Sequence, residues 1–203
     1  DDVVAANAMN RPGPLSLGMP QHYAVNKLDI EESKKSPYYE YTKESYGTVI
    51  YQEQIQQICV NVGNMTWGDA DKVMKMIVIH DLGEAFTGDI PAFDKTAADE
   101  KTEETLLHKW IETLPEVYRD EMNSLYKEME ERQTLEAKIY KAIDGLEAVI
   151  QHNISDISTW IPREYEMNVT YGYDKVAFSD YLTGLRDEIQ KDTLKKIEEA
   201  KTE

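Results

Sequence analysis

Cysteine, glycine and proline are scarce in this 203-residue sequence. Their scarcity excludes an internal disulfide and frequent breaks in helices. The single cysteine, Cys59, excludes an internal disulfide and is typical of a reducing compartment. With only 10 glycines and 7 prolines, long stretches carry no helix breaker. No apolar run approaches the roughly 20 residues that a membrane-spanning helix needs, and no signal peptide is recognisable. We therefore expect a soluble, cytoplasmic protein with no membrane partner.

Basic residues are also few. Lys and Arg number 22 against 39 Asp and Glu, which gives a formal net charge of −17. Binding to DNA or RNA depends on basic residues that neutralise phosphates, so this balance predicts no nucleic-acid partner. A small anionic ligand is not excluded, because a metal ion or a few local cations can hold it in a pocket.

The sequence changes character near residue 70. Residues 1–70 contain four of the prolines and predict an irregular, partly helical segment, with a loop over 10–20 and a helix over 49–63. Residues 71–203 carry strong helical patterns and predict a helical bundle. The sequence therefore predicts an all-α fold in two regions, 1–70 and 71–203.

Caps and apolar spacing predict the helices of the second region. Thr96 and Thr134 are typical first caps, and Pro115 separates two helices. The aromatic stretch 158–174 is expected to be irregular. The helix near residue 71 is apolar almost all round, so we expect it to be central and buried. The predicted helices cover about 71–82, 96–114, 116–131, 134–153 and 176–200.

A histidine and an aspartate close that apolar helix, in the stretch IVIHDLGEAFTGDIPAF (77–93). Neighbouring helical residues point about 100° apart, so His80 and Asp81 converge only if the helix ends there, which Gly83 favours. Imidazole and carboxylate together suit a divalent first-row metal. The alternative is an ordinary histidine at a helix C-terminus, where a cation is favoured.

A second carboxylate stands in an equally apolar helix. Asp144 lies in YKAIDGLEAVIQHN, where a buried charge is costly unless it is paired or bound to a cation. Gly145 beside it weakens the helix by about 1 kcal/mol relative to Ala, which is tolerable if something approaches closely there. The alternative is a rim position, with Asp144 in water or paired with a lysine such as Lys141.

Two further acids follow the HD pair. Glu84 lies four residues after His80, so one helical turn would place both on the same side, where a carboxylate orients or deprotonates water. Asp89 follows Gly88 and is equally consistent with turn chemistry. His108 falls in an amphipathic helix and is expected to be at the surface or in packing.

Residues 71–197 closely resemble the HD-domain metal-dependent phosphohydrolases, and within them the 5'-deoxynucleotidase-like branch. The resemblance is carried by DKVMKMIVIHDLGEAFTGDIPAFDK (71–95), EAKIYKAIDGLEAVIQHN (136–153) and WIPREYEMNVTYGYDKVAFSDYL (160–182). It implies a helical fold, a divalent transition metal (Mn, Co, Fe, Zn or Ni) and hydrolysis of a small-molecule nucleotide, a nucleoside 5'-monophosphate, by a homodimer. It also implies residue roles: metal ligands His80, Asp81 and Asp144, and acid–base residues Glu84 and Asp89.

The chain departs from that family at one ligand. The family pattern has an additional ligand histidine upstream of His80 and Asp81. Residues 40–60 contain no histidine, and Val49 occupies about the position where the pattern has it. The nearest upstream histidine is His22, in a proline-rich region. The departure predicts weakened metal binding and leaves open what fills the position.

The first region resembles a different family. AANAMNRPGPLSLGM (5–19) and YGTVIYQEQIQQICVNVGNMTWGDADKVMKMI (46–77) are similar to a segment of the catalytic subunit of the bacterial C-family replicative DNA polymerase. The two resemblances meet near 69–77, which suggests a hybrid joined there. A fragment of this size implies no polymerase activity. Two functions stay open: an HD phosphohydrolase, impaired by the missing histidine, or an inactive HD scaffold that acts as an interaction module.

Overall fold

The computed structural model describes residues 2–11, 14–15, 17–91 and 94–202. Within these ranges the regular structure is helical and no strand occurs, so the all-α prediction is confirmed. The chain divides into two compact units, Asp1–Asp71 and Lys72–Glu203. None of the described helices combines the length and the apolar character that crossing a bilayer requires.

The first unit consists of short helices. Pro12, Gly13 and Ser16 of the predicted loop lie outside the described residues, and a helix begins directly after Gly18. The predicted helix over 49–63 is present but shorter. The elements are α1 (Asp2–Met9), α2 (Met19–Leu28), α3 (Ile30–Ser33), α4 (Tyr39–Thr42), a 3₁₀ turn (Lys43–Ser45), α5 (Gln52–Asn61) and the start of α6 (Trp67–Ile79).

A small apolar core holds the first unit together. Ala5, Met9 and Tyr23 are buried, and the rings of Tyr23 and Tyr46 meet edge to face at 5.3 Å between centroids. The side chain of Gln54 folds back over the start of α5, where its Oε1 accepts hydrogen bonds from the backbone of residues 50 and 51. This bond pair fixes the chain direction at the start of that helix.

The second unit is a bundle of longer helices. After the end of α6 they are α7 (Glu84–Thr87), α8 (Ala97–Ile111), α9 (Glu116–Glu131), α10 (Leu135–Ile154), a 3₁₀ turn (Ile157–Thr159), α11 (Pro162–Thr170), α12 (Tyr173–Val176) and α13 (Asp180–Thr202). Helices α10 and α13 pack against each other and against α12. Their buried residues form the core of the unit: Ala142, Leu146, Val149, Val176 and Ile189.

Capping residues set the helix starts as the sequence predicts. The Thr96 hydroxyl accepts from the Asp99 amide, while the Asp99 carboxylate accepts from the Thr96 amide. Thr134 accepts from the Ala137 amide at the start of α10. Each bond satisfies a donor that the first helical turn leaves unpaired. The starts of α8 and α10 are therefore local properties of the sequence.

Two expectations for the second unit are wrong. The stretch 158–174 is largely helical, because Pro162 fits the first helical turn and the Glu164 carboxylate accepts from the Ile161 amide. The helix near residue 71 is not buried all round: Met76 is fully buried, but Val78 is 72% exposed. The apolar pattern overstated burial because one face of α6 remains open to solvent.

Candidate metal centre

The end of α6 presents a histidine in a defined orientation. The helix ends at Ile79, and His80 follows in a turn. Nδ1 of His80 lies 2.7 Å from the carbonyl oxygen of Ile77. A carbonyl only accepts, so Nδ1 carries a hydrogen and the other ring nitrogen, Nε2, faces the site. This is the orientation in which a histidine commonly offers Nε2 to a metal.

Two carboxylates from different elements converge on that nitrogen. Oδ2 of Asp81 lies 3.0 Å from Nε2 of His80, and Oδ1 of Asp144 lies 3.4 Å from the same atom. Asp81 is in the turn after α6, and Asp144 is in the middle of α10. The structure thus brings together the three side chains that sequence reasoning singled out as metal ligands.

Asp144 has a second partner. Nζ of Lys141, one turn earlier on α10, lies 2.8 Å from Oδ2 of Asp144, and both side chains are about a quarter exposed. The pairing with Lys141 that the sequence left open is therefore present, beside the contact with His80. Lys141 therefore compensates the charge at Oδ2 of Asp144, while Oδ1 faces the His80 ring.

Gly145 allows a close approach, as the sequence predicts. A Cβ on this residue would lie 2.8 Å from Cδ of Lys175 and 3.8 Å from the ring of Tyr171. The absent side chain lets these two residues pack directly on α10 next to Asp144. The helix-weakening glycine is explained by this contact.

Glu84 and Asp89 line the same cavity as His80, Asp81 and Asp144, which we call the His80 cluster. Glu84 does not reach it by lying one helical turn after His80, as predicted. Glu84 begins the separate helix α7, because residues 80–83 form a turn and do not continue α6. Oε1 of Glu84 lies 3.9 Å from Nζ of Lys95, whose ammonium also lies 2.7 Å from Oε2 of Glu103. Asp89 is exposed. The turn over residues 80–83, and not the spacing along one helix, places Glu84 in this cavity.

The five predicted site residues line one cavity of about 480 Å³: His80, Asp81, Glu84, Asp89 and Asp144. Tyr140, Tyr171 and Lys95 also line it, and none of these three was singled out for chemistry by the sequence. A cavity of this size lies within the range of small-molecule sites. The five residues come from the turn after α6, from α7, from the loop that follows it and from α10.

Burial and neighbouring charges alter the acidity of these groups. Contact with Asp144 raises the pKa of His80 despite its burial. Burial raises the pKa of the Asp144 carboxyl, but the contacts with His80 and Lys141 outweigh it and hold that pKa at about 2. Burial raises the pKa of Glu84, and the carboxylates of Asp81 and Asp89 raise it further. A carboxyl with a raised pKa is suited to proton transfer near neutral pH.

The donor set fits a divalent first-row metal. One imidazole nitrogen with its tautomer fixed and two carboxylates are ligands that such ions take. His80 and Asp144 are partly buried, whereas the side chain of Asp81 is 60% exposed. The oxygens of Asp81 and Asp144 remain too far apart for all three ligand atoms to lie within 4.8 Å of one another.

Among the described residues, a second cluster of possible metal ligands is more compact, and sequence reasoning missed it. Ligand atoms of Glu104, His108 and Glu130 all lie within 4.8 Å of one another. Glu104 and His108 are one turn apart on α8, a spacing visible in the sequence, whereas Glu130 comes from α9. Both glutamates are exposed, and Nε2 of His108 lies 3.7 Å from Oε1 of Glu130. Exposed acidic groups gather in this way without a metal in a chain so rich in carboxylates.

Comparison with known families decides the classification of this bundle. Residues 59–185 match the model of the HD domain. The chain belongs to the HD domain family. A second model, the bacterial DNA polymerase III alpha subunit finger domain, matches residues 1–87. Both resemblances predicted from the sequence are confirmed, and the two matched ranges overlap over residues 59–87.

The curated relatives of this HD-domain chain include members of both groups. Human 5'-deoxynucleotidase HDDC2 is 32% identical over 83 residues, which are 40% of this chain and 41% of the relative. DNA polymerase III subunit alpha of Aquifex aeolicus is 38% identical over 80 residues, 38% of this chain and 7% of the relative. The Helicobacter pylori subunit is 32% identical over 80 residues. The chain thus spans less than half of the nucleotidase and under a tenth of each polymerase subunit. No solved structure gave a match.

Proposed function

We propose that this protein is a metal-dependent phosphohydrolase that releases phosphate from (deoxy)nucleoside 5'-monophosphates. The observation that supports the proposal is the convergence of Asp81 and Asp144 on Nε2 of His80, in a cavity that also contains Glu84 and Asp89. The family relationship supports phosphohydrolase chemistry, and the nucleotide substrate is the part that we add by analogy with the curated relatives.

Each residue has a role in this proposal. His80, Asp81 and Asp144 hold a divalent transition metal such as Mn, Co, Fe, Zn or Ni. When bound, the metal supplies positive charge that polarises a phosphoryl oxygen and acidifies water. Glu84 orients the attacking water and accepts its proton, because its carboxyl has a raised pKa and lies in the cavity. Asp89, which lies in the loop after α7, assists this proton transfer.

Metal affinity is expected to be weak. The upstream histidine of the family pattern is absent, and three protein ligands remain. Loss of one neutral ligand leaves a position that water fills, so we expect activity that depends on metal concentration and does not vanish. The proposal therefore includes impairment relative to nucleotidases with the full ligand set.

The test combines metal analysis with phosphate release. Purified protein is loaded with Mn²⁺ or Co²⁺, metal content is measured, and phosphate release is followed over a panel of nucleoside and deoxynucleoside 5'-monophosphates. Asp81→Asn and Asp144→Asn are expected to lower metal affinity by roughly 100-fold or more, since loss of an outer-sphere partner alone costs about 10- to 100-fold. Asp120→Asn, at a side chain that is 67% exposed, is the matched control and should change neither property. Absence of both metal and phosphate release in the unaltered chain sinks the proposal.

One observation favours the alternative, a catalytically inactive HD scaffold that acts as an interaction module. Lys141 pairs with one oxygen of Asp144, and the His80 ring contacts the other, so the protein itself supplies a partner for each oxygen. A scaffold of this kind gains nothing from added metal. Thermal unfolding with and without Co²⁺ separates the two functions: a metal-dependent rise in the unfolding temperature, lost in Asp144→Asn, supports the enzyme, and an unchanged temperature supports the scaffold.

The remaining parts of the proposal follow from the resemblances. We propose a cytoplasmic homodimer, for which sedimentation of the purified chain measures the oligomeric state. We also propose that residues 1–70 and 71–203 are two regions of separate origin joined near 69–77, a position inside the overlap of the two family matches. No nucleic-acid binding is expected of either region, and a gel shift with single-stranded DNA would contradict that.

A further inference from the structure

A second, smaller cavity in the bundle gathers positive charge. It has a volume of about 220 Å³ and is lined by four cationic side chains, one carboxylate and one aromatic ring. We call it the cationic pocket; its residues are Arg132, Lys138, Lys141, Lys175, Asp174 and Phe178. The chain as a whole has 39 acidic and 22 basic residues, so the excess of positive charge in this cavity is opposite in sign to the net charge of the protein.

Two of the four cations form no ion pair with the residues that the structure describes. Lys141 is paired with Asp144, and Nζ of Lys175 lies 3.6 Å from Oδ1 of Asp174. The side chain of Asp174 is 81% exposed, so this second pair is screened by water. Arg132 and Lys138 form no ion pair with any residue in the described part of the chain. The pocket thus has four cations against one carboxylate, although Arg132 also borders a neighbouring cavity that four glutamates line: Glu100, Glu103, Glu104 and Glu130.

The fold builds this pocket from three separate elements. Arg132 ends α9 with a positive φ of 51°, which turns the chain towards α10. Lys138 and Lys141 lie one turn apart on α10, and Lys175 packs over Gly145 from α12. The ammonium of Lys175 is also held over the Tyr171 ring, 4.0 Å from its centroid. Contacts at Gly145 and Tyr171 thus fix one of the cations in place.

We propose that the cationic pocket binds a phosphoryl group. Like charges held close together repel, and a multiply charged anion relieves that repulsion. A guanidinium donates two parallel hydrogen bonds to phosphate oxygens, and lysine ammoniums add point charges. The volume suffices for a phosphoryl group with water, since a water molecule takes about 30 Å³ of liquid volume.

The pocket adjoins the candidate metal centre through shared residues. Lys141 lines both the cationic pocket and the 480 Å³ cavity, and Arg132 lines both the pocket and a neighbouring cavity that His80 also borders. The phosphoryl group has two sources: free inorganic phosphate, or a second phosphate of a nucleotide whose base or sugar extends from the cavity. The nucleotide source extends the proposed function from nucleoside 5'-monophosphates, which carry one phosphate, to nucleotides that carry two, whereas the anion site itself does not depend on that function.

Binding of inorganic phosphate to the full chain, freed of metal with a chelator and studied by calorimetry at low salt, tests the site. Arg132→Gln and Lys138→Gln are each expected to weaken binding about tenfold, because each removes a charge-assisted hydrogen bond. Lys138→Arg should retain it. Lys109→Gln removes a lysine that is exposed and outside the pocket, and should leave binding unchanged. Circular dichroism melting checks that each variant is folded.

A comparison of ligands separates the two sources. A nucleoside 5'-diphosphate that binds at least tenfold tighter than inorganic phosphate, with the advantage lost in Lys138→Gln, assigns the pocket to a nucleotide phosphate. Equal binding of both ligands, again lost in the variant, assigns it to free phosphate. Folded Arg132→Gln and Lys138→Gln proteins that bind every ligand as the unaltered chain does overturn the proposal. Phosphate binding without any hydrolysis would refute the proposed enzyme and leave the pocket standing.

Discussion

Nε2 of His80 lies 3.4 Å from Oδ1 of Asp144, although one residue follows α6 and the other lies in the middle of α10. The contact ties the end of one helix to the interior of another. It also explains how a carboxylate survives in an apolar stretch, because Lys141 compensates its other oxygen. His80 and Asp144, two of the predicted metal ligands, are therefore linked with Lys141 in one polar network.

That network predicts acid sensitivity. The folded-state pKa of Asp144, about 2, is below the ordinary value of 3.8, so its contribution to stability is full above pH 3.8 and is lost as the pH falls through about 2. The shift corresponds to about 2 kcal/mol. Urea unfolding of the chelated protein from pH 5 to pH 2 should therefore show the gap between the unaltered chain and Asp144→Asn closing by about this amount. A gap that stays constant over this range contradicts the prediction.

The position of His80 depends on a buried tyrosine. Tyr126 on α9 is 5% exposed, and its hydroxyl donates to the carbonyl of Ile79, the last residue of α6. Tyr126→Phe leaves that carbonyl without this partner, which costs about 1–2 kcal/mol in the free energy of unfolding. Because His80 follows directly, metal affinity should also fall. Denaturant unfolding and metal titration measure the two effects.

Tyr118→Phe is the matched control for this prediction, since it removes the same hydroxyl from a tyrosine of the same helix that is 62% exposed. It should leave both quantities unchanged. Equal effects of the two substitutions would show that the Ile79 contact has no special role.

The sequence could predict the parts of this structure that depend on local chemistry. Thr96, Thr134 and Pro115 mark helix boundaries because caps and proline act within a few residues. His80 and Asp144 were identifiable because a polar group in an apolar helix is costly unless it is compensated. Both signals can be read from a single stretch of chain.

The remaining features depend on contacts between distant segments. Helix packing pairs Lys95 with Glu103 next to Glu84. It also brings Arg132 and Lys175 to the same pocket. Neither arrangement has a signature in the local sequence. The helix at 162–170 was missed for a different reason: its start signals, Pro162 and Glu164, are local, but the aromatic residues of the surrounding stretch 158–174 were read as irregular structure. Sequence patterns give elements and isolated residues more readily than the pairing of charges between them.

Lys95 is expected to tune the proton-transfer residue. Its ammonium, 3.9 Å from Glu84, lowers the pKa of that carboxyl against burial and the neighbouring acids. Lys95→Met removes this effect, so the pKa of Glu84 rises further. If Glu84 acts as the base, the acidic limb of the pH profile of kcat/KM moves to higher pH.

Lys101→Met provides the control for Lys95, because Lys101 is exposed on α8 and should not move the profile. The measurement is phosphate release from a nucleoside 5'-monophosphate at saturating Mn²⁺ across pH 5 to 9. An acidic limb at the same pH in both variants argues against Glu84 as the base.

Arg186 is expected to be the most sensitive position in the second unit. Its side chain is fully buried, Nε donates to the carbonyl of Tyr171 and Nη2 donates to the carbonyl of Asn168, each at 2.8 Å. The guanidinium also lies over the Tyr173 ring, 4.6 Å from its centroid. Arg186→Ala leaves two carbonyls unpaired and a cavity, so we expect a loss of about 3–5 kcal/mol in the free energy of unfolding.

A lysine at this position tests which property matters. Arg186→Lys keeps the charge but cannot donate from a rigid fork to both carbonyls, so it should recover only part of the stability. Lys195→Ala on the same helix, at a side chain that is 74% exposed, should change stability by less than about 0.5 kcal/mol. Because Tyr171 borders the cavity that holds the His80 cluster, the arginine variants should also bind metal more weakly than this control. Full stability in Arg186→Lys would mean that the charge alone, not the paired hydrogen bonds, holds the end of α11 against α13.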